Sequence, residues 1–137
     1  FPIYPLCDIS VLPSEQLSAR CLLKPNKINS NHIGTAHAGV QWMMLELLGG
    51  IITINNFDMS KYTVVARNAQ SNFLRPAIGQ LIGQASITPQ DFDKIKTTLD
   101  QCGKVNFDLD TQLIDDNDVV VCSSINTYQI RKINDTK

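Results

Sequence analysis

Glu46 is the only ionisable residue between His37 and Asp58. Its neighbours Trp42, Met43, Met44, Leu45, Leu47 and Leu48 are all apolar. A carboxylate in such surroundings is costly unless water or a partner reaches it. Held in an apolar pocket, it is a candidate general base or nucleophile. The competing reading is a glutamate that reaches water at a helix edge or binds a backbone group, since carboxylates fill structural roles too. A second cluster stands just upstream, where Asn31, Gly34, Thr35, His37 and Gly39 fall within nine positions. At a helix N-terminus, unpaired N–H groups backed by the helix dipole stabilise a developing oxyanion. The small residues Ala38 and Gly39 would let a carbonyl come close to those groups. The bland alternative is a capped loop in which Asn31 and Thr35 serve turns and His37 is a structural hydrogen-bonder.

These residues need a helix to hold them, and the strongest helix signal begins at Ala38. The segment is apolar nearly all round, as in a helix buried inside a domain. Helix geometry puts Met43 and Trp42 one turn before Glu46 and Gly39 about two turns before. Gly49-Gly50 weakens the helix or lets another backbone approach closely. Pro2, Pro5 and Pro13 make residues 1–16 read as an irregular lead-in. Leu17 to Lys24 reads as a strand ending at Pro25, and Asn26 to Thr35 as a polar loop. Tyr62 to Phe73 and Gln80 to Ile87 are further strands. Thr88 is an N-cap with Pro89 at the first position of a short helix, Gln90 to Leu99, ended near Gly103. Val105, Phe107, Leu109, Thr111 and Leu113 share one face of a period-two pattern. Asp115 to Asp118 is a turn, and Val119 to Lys132 a long final strand. Strands joined by short links favour an antiparallel sheet, so the class is α+β. One domain is expected over 17–132, with 133–137 as a tail.

Composition narrows the function. The chain of 137 residues has 12 basic and 13 acidic side chains, a net charge of −1. That balance gives no footprint for nucleic acid or an anionic membrane. Charged residues are 18% of the chain, against roughly 25% in ordinary globular domains. Part of the surface is therefore expected to be hidden in an oligomer. The longest apolar stretch, Val40 to Ile54, is broken by Gln41, Glu46 and Thr53, so no membrane span is expected. Cys7, Cys21, Cys102 and Cys122 form no CxxC pair and no zinc spacing. They read as reduced, mostly buried thiols of a cytoplasmic protein, and Phe1 to Leu12 lacks the character of a signal peptide. His32 and His37 are five apart and do not share a helix face, so no metal site is expected.

Asn31-x-x-Gly34-Thr35-x-His37-Ala38-Gly39, with Glu46 nine residues after His37, resembles the active-site segment of hotdog-fold acyl-CoA thioesterases. The nearest branch is the phenylacetyl-CoA thioesterase-like and helix-glutamate hydroxybenzoyl-CoA thioesterase group. Ser71 to Ala77 is similar to that family's strand end, and Val119 to Arg131 to its last strand. The resemblance spans Leu17 to Arg131. It implies an antiparallel sheet of five or six strands wrapped around a long central helix. It implies a homodimer, or a dimer of dimers, with sites shared between subunits. The implied reaction is hydrolysis of an acyl-CoA or acyl-carrier thioester, with coenzyme A present only as part of the substrate and no other cofactor.

By position, Glu46 would be the base or nucleophile, and the Ala38 N–H would polarise the thioester carbonyl beside Gly39. Asn31 would orient water or the carbonyl, and His37 would hold the loop or assist that orientation. Gly34 and Thr35 belong to the same substrate-binding loop. Trp42 and Met43, with Phe57 and Met59, would line the acyl pocket. Arg75, and less directly Arg67, would meet coenzyme A phosphates. Two positions depart from the family pattern, Ala38 where glycine is usual and Gly50 where some members carry Thr or Ser. The rival function is a hotdog protein that binds acyl-CoA without turnover. No Asp or Glu paired with His in the manner of a hotdog dehydratase is present.

Overall fold

The computed structural model describes residues 2–134. The elements run α1 (Ile3–Leu6), β1 (Ile9–Leu12), β2 (Ser18–Leu23), α2 (Ala38–Asn56), β3 (Tyr62–Phe73), β4 (Leu81–Ser86), α3 (Pro89–Cys102), β5 (Lys104–Ile114) and β6 (Val120–Lys132). The six strands form one sheet in the order β1-β2-β4-β5-β6-β3, with every neighbouring pair antiparallel. The α+β class and the expected strands are all present.

The alternation read along β5 sets its faces. Val105, Phe107, Leu109, Thr111 and Leu113 are buried, while Asn106, Asp108, Asp110 and Gln112 are exposed. The buried face packs on α2, whose Met44, Leu45 and Leu48 are fully buried. Each such side chain contributes about 1.5–3 kcal/mol relative to exposure. No proline interrupts the 19 residues of α2, which end at Phe57, where the backbone turns extended and its N–H closes on the Thr53 carbonyl at 2.9 Å.

The insertion between β4 and β5 is the helix α3. Thr88 Oγ1 accepts the Asp91 N–H at 3.1 Å, and Gly103 ends α3 in the left-handed conformation at φ 73°. Ile95 and Leu99 of α3 are buried, and Phe92 meets Phe57 at a tilt with ring centroids 5.7 Å apart. The helix therefore packs on β5 and touches the C-cap residue of α2.

Three expectations are corrected. The lead-in expected to be irregular holds α1 and β1 among its described residues. Pro2 is the N-cap of α1 and Pro5 lies in its single turn, where a missing N–H breaks no helical bond. The edge strand β1 forms because Ile9, 4% exposed, has a core position to fill opposite Leu23. Second, α2 is not covered all round. Gly39, Trp42, Met43, Glu46, Gly50 and Ile54 make a stripe that the sheet leaves open or half-open, with Trp42 40% and Ile54 55% exposed. Third, Gly49 admits the ring of Tyr128 and not a backbone, while Gly50 faces open space.

Cys21 and Cys122 are buried free thiols, Cys7 is half-buried, and Cys102 is exposed. Among the described residues no helix is long and apolar enough to cross a membrane.

Candidate active site

Glu46 sits midway along α2 on its open stripe, half-buried. Its carboxylate is not alone. The Tyr4 hydroxyl donates to Glu46 Oε2 at 2.8 Å, across 42 positions of sequence. Burial, reinforced by this hydrogen bond, raises the Tyr4 phenol well above its ordinary pKa, so it is a dependable donor. The other oxygen, Oε1, accepts no hydrogen bond from any described residue.

The helix backbone at Glu46 is held from beneath. Tyr128 on β6 donates to the Glu46 carbonyl at 2.7 Å, and Asn126 Nδ2 donates to the Leu45 carbonyl at 3.2 Å. Asn126 Oδ1 in turn accepts from Ser124 Oγ, which itself accepts from Ser71 on β3. Ser124, Asn126 and Tyr128 alternate along one face of β6, so a buried polar ladder runs under the apolar helix. Each member is partnered, which keeps the ladder from being a penalty. Burial pushes the Tyr128 phenol up to about 12.

The start of α2 is built by three residues. His37 is the N-cap, and its Nδ1 accepts the Gly39 N–H at 3.0 Å. Its carbonyl takes the N–H groups of Val40 and Gln41 at 3.0 Å each. The Ala38 N–H, exposed and at the positive end of the dipole, has no acceptor among the described residues. Thus His37 caps the helix start, and Gly39 has its N–H already engaged.

Asn31 and Thr35 close the loop before it. Asn31 Nδ2 donates to Thr35 Oγ1 at 2.7 Å, and Asn31 Oδ1 accepts the N–H groups of Ile33 and Thr35 at 3.1 and 3.0 Å. Gly34 takes the left-handed φ of 81° that this turn requires. The turn reading accounts for these contacts of Asn31, and none of them reaches Glu46.

The residue the sequence did not single out is Asn29, fully buried. Its Nδ2 donates to the carbonyls of Cys7 and Lys24 at 2.9 and 2.8 Å, and its own carbonyl accepts the His37 N–H at 2.9 Å. Tyr4, Asn126 and Tyr128 were likewise not singled out. Only the polar parity of Ser124, Asn126 and Tyr128 carried a signal, since three polar side chains on the inward face of a strand require partners.

Other expected residues lie apart. Trp42 and Met43 flank Glu46 on the helix, but Phe57 is eleven residues on, about 16 Å along the axis, packed on Tyr62 and Phe92. Arg67 sits at a bulge of β3, and Arg75 in the loop after it; both are exposed, and no contact joins either to Glu46. A groove of about 570 Å³ lies on the outer face of the sheet among Ser18, Arg20, Gln84 and Asp110.

A six-stranded antiparallel sheet curled around a long helix is the hotdog fold, and the chain shares it with solved structures several of which are named as thioesterases. Residues 8–129 match the domain of unknown function DUF4442, and the chain belongs to that family. No curated protein matches it. A Pseudomonas aeruginosa protein of unknown function, described as a probable thioesterase, superposes with a TM-score of 0.88 at 26% identity, over 97% of this chain and 89% of that one. A Staphylococcus aureus thioesterase variant superposes with a TM-score of 0.79 at 15% identity, over 96% and 99%. The PaaI protein of the phenylacetic acid degradation operon of E. coli gives 0.72 at 14%, over 98% and 86%. The last two likenesses are of fold alone.

Proposed function

We propose that this protein hydrolyses an acyl-CoA or acyl-carrier thioester to a carboxylate and a free thiol, with Glu46 as base. The observation that carries this is the state of its two oxygens, Oε2 held by Tyr4 and Oε1 unengaged on an open helix stripe. Oε1 takes a proton from water, and the water oxygen attacks the thioester carbon. An Ala38 N–H stabilises the resulting oxyanion. The C–S bond breaks, and the proton held by Glu46 passes to the departing thiolate.

Within one chain Ala38 and Glu46 are eight residues apart, about 12 Å along the helix. A base must come within roughly 3 Å of its proton, or reach it through one water. One α2 therefore does not supply both groups to one carbonyl. A second copy, presenting its α2 N-terminus to this Glu46, completes the site. The exposed Trp42, Ile54, Phe73 and Leu74 and the unpaired outer edge of β3 support such a homodimer. In it, Trp42 and Met43 line the acyl pocket, Asn31, Gly34 and Thr35 shape the loop, and Arg75 and Arg67 meet coenzyme A phosphates. Four unpaired cysteines suit a reducing compartment such as the cytoplasm.

Free-thiol release from acyl-CoAs of varied chain length and aromatic type tests the reading. Glu46→Gln is expected to lose about a hundredfold or more in turnover while still binding ligand. Gly50 carries no hydroxyl to help hold a water, which favours the rival reading of a binding module; tight acyl-CoA binding without turnover by the parent protein would establish it. A strictly monomeric protein in solution would overturn the shared site.

A further inference from the structure

On an open helix face a glutamate side chain samples several rotamers. At Glu46 one oxygen is fixed, and the group that fixes it comes from the N-terminal strap of residues 2–12. We propose that Tyr4 is a positioning residue, whose phenol holds Oε2 of Glu46 and thereby directs Oε1 to the substrate's water. This rests on Glu46 being the base.

Ile3 and Leu6 of α1 are 52% and 68% exposed, so they bury little. Within α1 and the turn after it, Tyr4 and Cys7 pack against the core, and Ile9 of β1 is part of it. A phenylalanine at position 4 would cover nearly the same apolar area but would leave Glu46 Oε2 without its hydroxyl donor. Three ties keep Tyr4 in place. Leu6 and Cys7 close the turn of α1 on Pro2 and Ile3 at 3.3 and 3.1 Å. Asp8 takes a left-handed φ of 56° to send the chain into β1. Buried Asn29 holds the Cys7 carbonyl with its side chain and the His37 N–H with its backbone. The same anchor therefore fixes both the strap over Glu46 and the peptide leading into Ala38.

The test compares the parent, Tyr4→Phe and Glu46→Gln, measuring kcat and KM by thiol release, thermal midpoint, and the ¹³C signal of the Glu46 carboxylate, identified by its loss in Glu46→Gln. The expected result for Tyr4→Phe is a fall in kcat of about tenfold, KM within about twofold, and a displaced Glu46 signal. Unchanged kcat in Tyr4→Phe beside an inactive Glu46→Gln would overturn the role of Tyr4 alone. A rise in kcat would make the strap an obstruction, and an unmoved Glu46 signal with a lowered midpoint would make Tyr4 structural; either overturns the proposal. A parent with no more turnover than Glu46→Gln would fail the base reading itself, a result recognisable without the tyrosine variant.

Discussion

Tyr128 packs against α2 at Gly49, and a side chain at position 49 would overlap its ring. The absent Cβ lets the phenol reach the Glu46 carbonyl at 2.7 Å. Gly49→Ala should therefore destabilise the fold despite alanine's better helix propensity. Overpacking typically costs 1–3 kcal/mol, against about 1 kcal/mol of propensity gained. Because the overlap is with a ring wedged between helix and strand, the steric term should win, by up to about 2 kcal/mol net. Urea denaturation measures this.

Gly50 gives the opposite result. Nothing lies near the position its Cβ would take. Gly50→Ala should stabilise by about 0.5–1 kcal/mol in the same denaturation experiment. Gly50→Ser should fit without distortion and place a hydroxyl one turn beyond Glu46, so thiol release should not fall in that variant.

Alkaline pH should weaken the fold. Burial raises the Cys21 thiol from its ordinary 9.0 to about 12, the Cys122 thiol to about 11, and the Tyr128 phenol from 10.0 to about 12. In this range the unfolded chain releases protons that the folded chain keeps, so stability falls as pH rises. The loss should begin near pH 9 and continue to about pH 12, following the unfolded and folded values of these groups. Denaturant midpoints between pH 7 and 11 under reducing conditions should show it. Cys21→Ala should start lower but decline less steeply above pH 9.

His37→Ala should remove the cap of α2 and cost about 1 kcal/mol, whereas His37→Asn should retain most of that stability. The alanine variant also frees the Gly39 N–H. Comparing denaturation midpoints with KM for an acyl-CoA separates the two consequences.

The elements were legible where local chemistry decides them. Thr88, Pro89 and Gly103 mark both ends of α3, and the strict alternation from Val105 to Leu113 gives β5 its faces. The three prolines before Ser14 concealed α1 and β1, because a proline at a helix's first turn looks locally like one in a loop. Tyr4 and Glu46 meet across 42 positions, and no periodic pattern records such a contact. Asn26, Asn29 and Asn31 look alike in a loop, yet only Asn29 is fully buried, a difference set by where the Cys7 and Lys24 carbonyls arrive. His37 and Ala38 were legible as a helix start; which N–H stayed unpaired depended on the direction of the His37 ring.

The two borders of the sheet differ threefold in length. β1 has four residues and β3 has twelve. Only the longer border offers an extended row of backbone groups to a neighbouring chain. If two molecules join along β3, each exhausts its long border and leaves only the short one outside. Such growth halts at a pair and does not propagate into a fibre, so the strand order itself is a safeguard against runaway polymerisation.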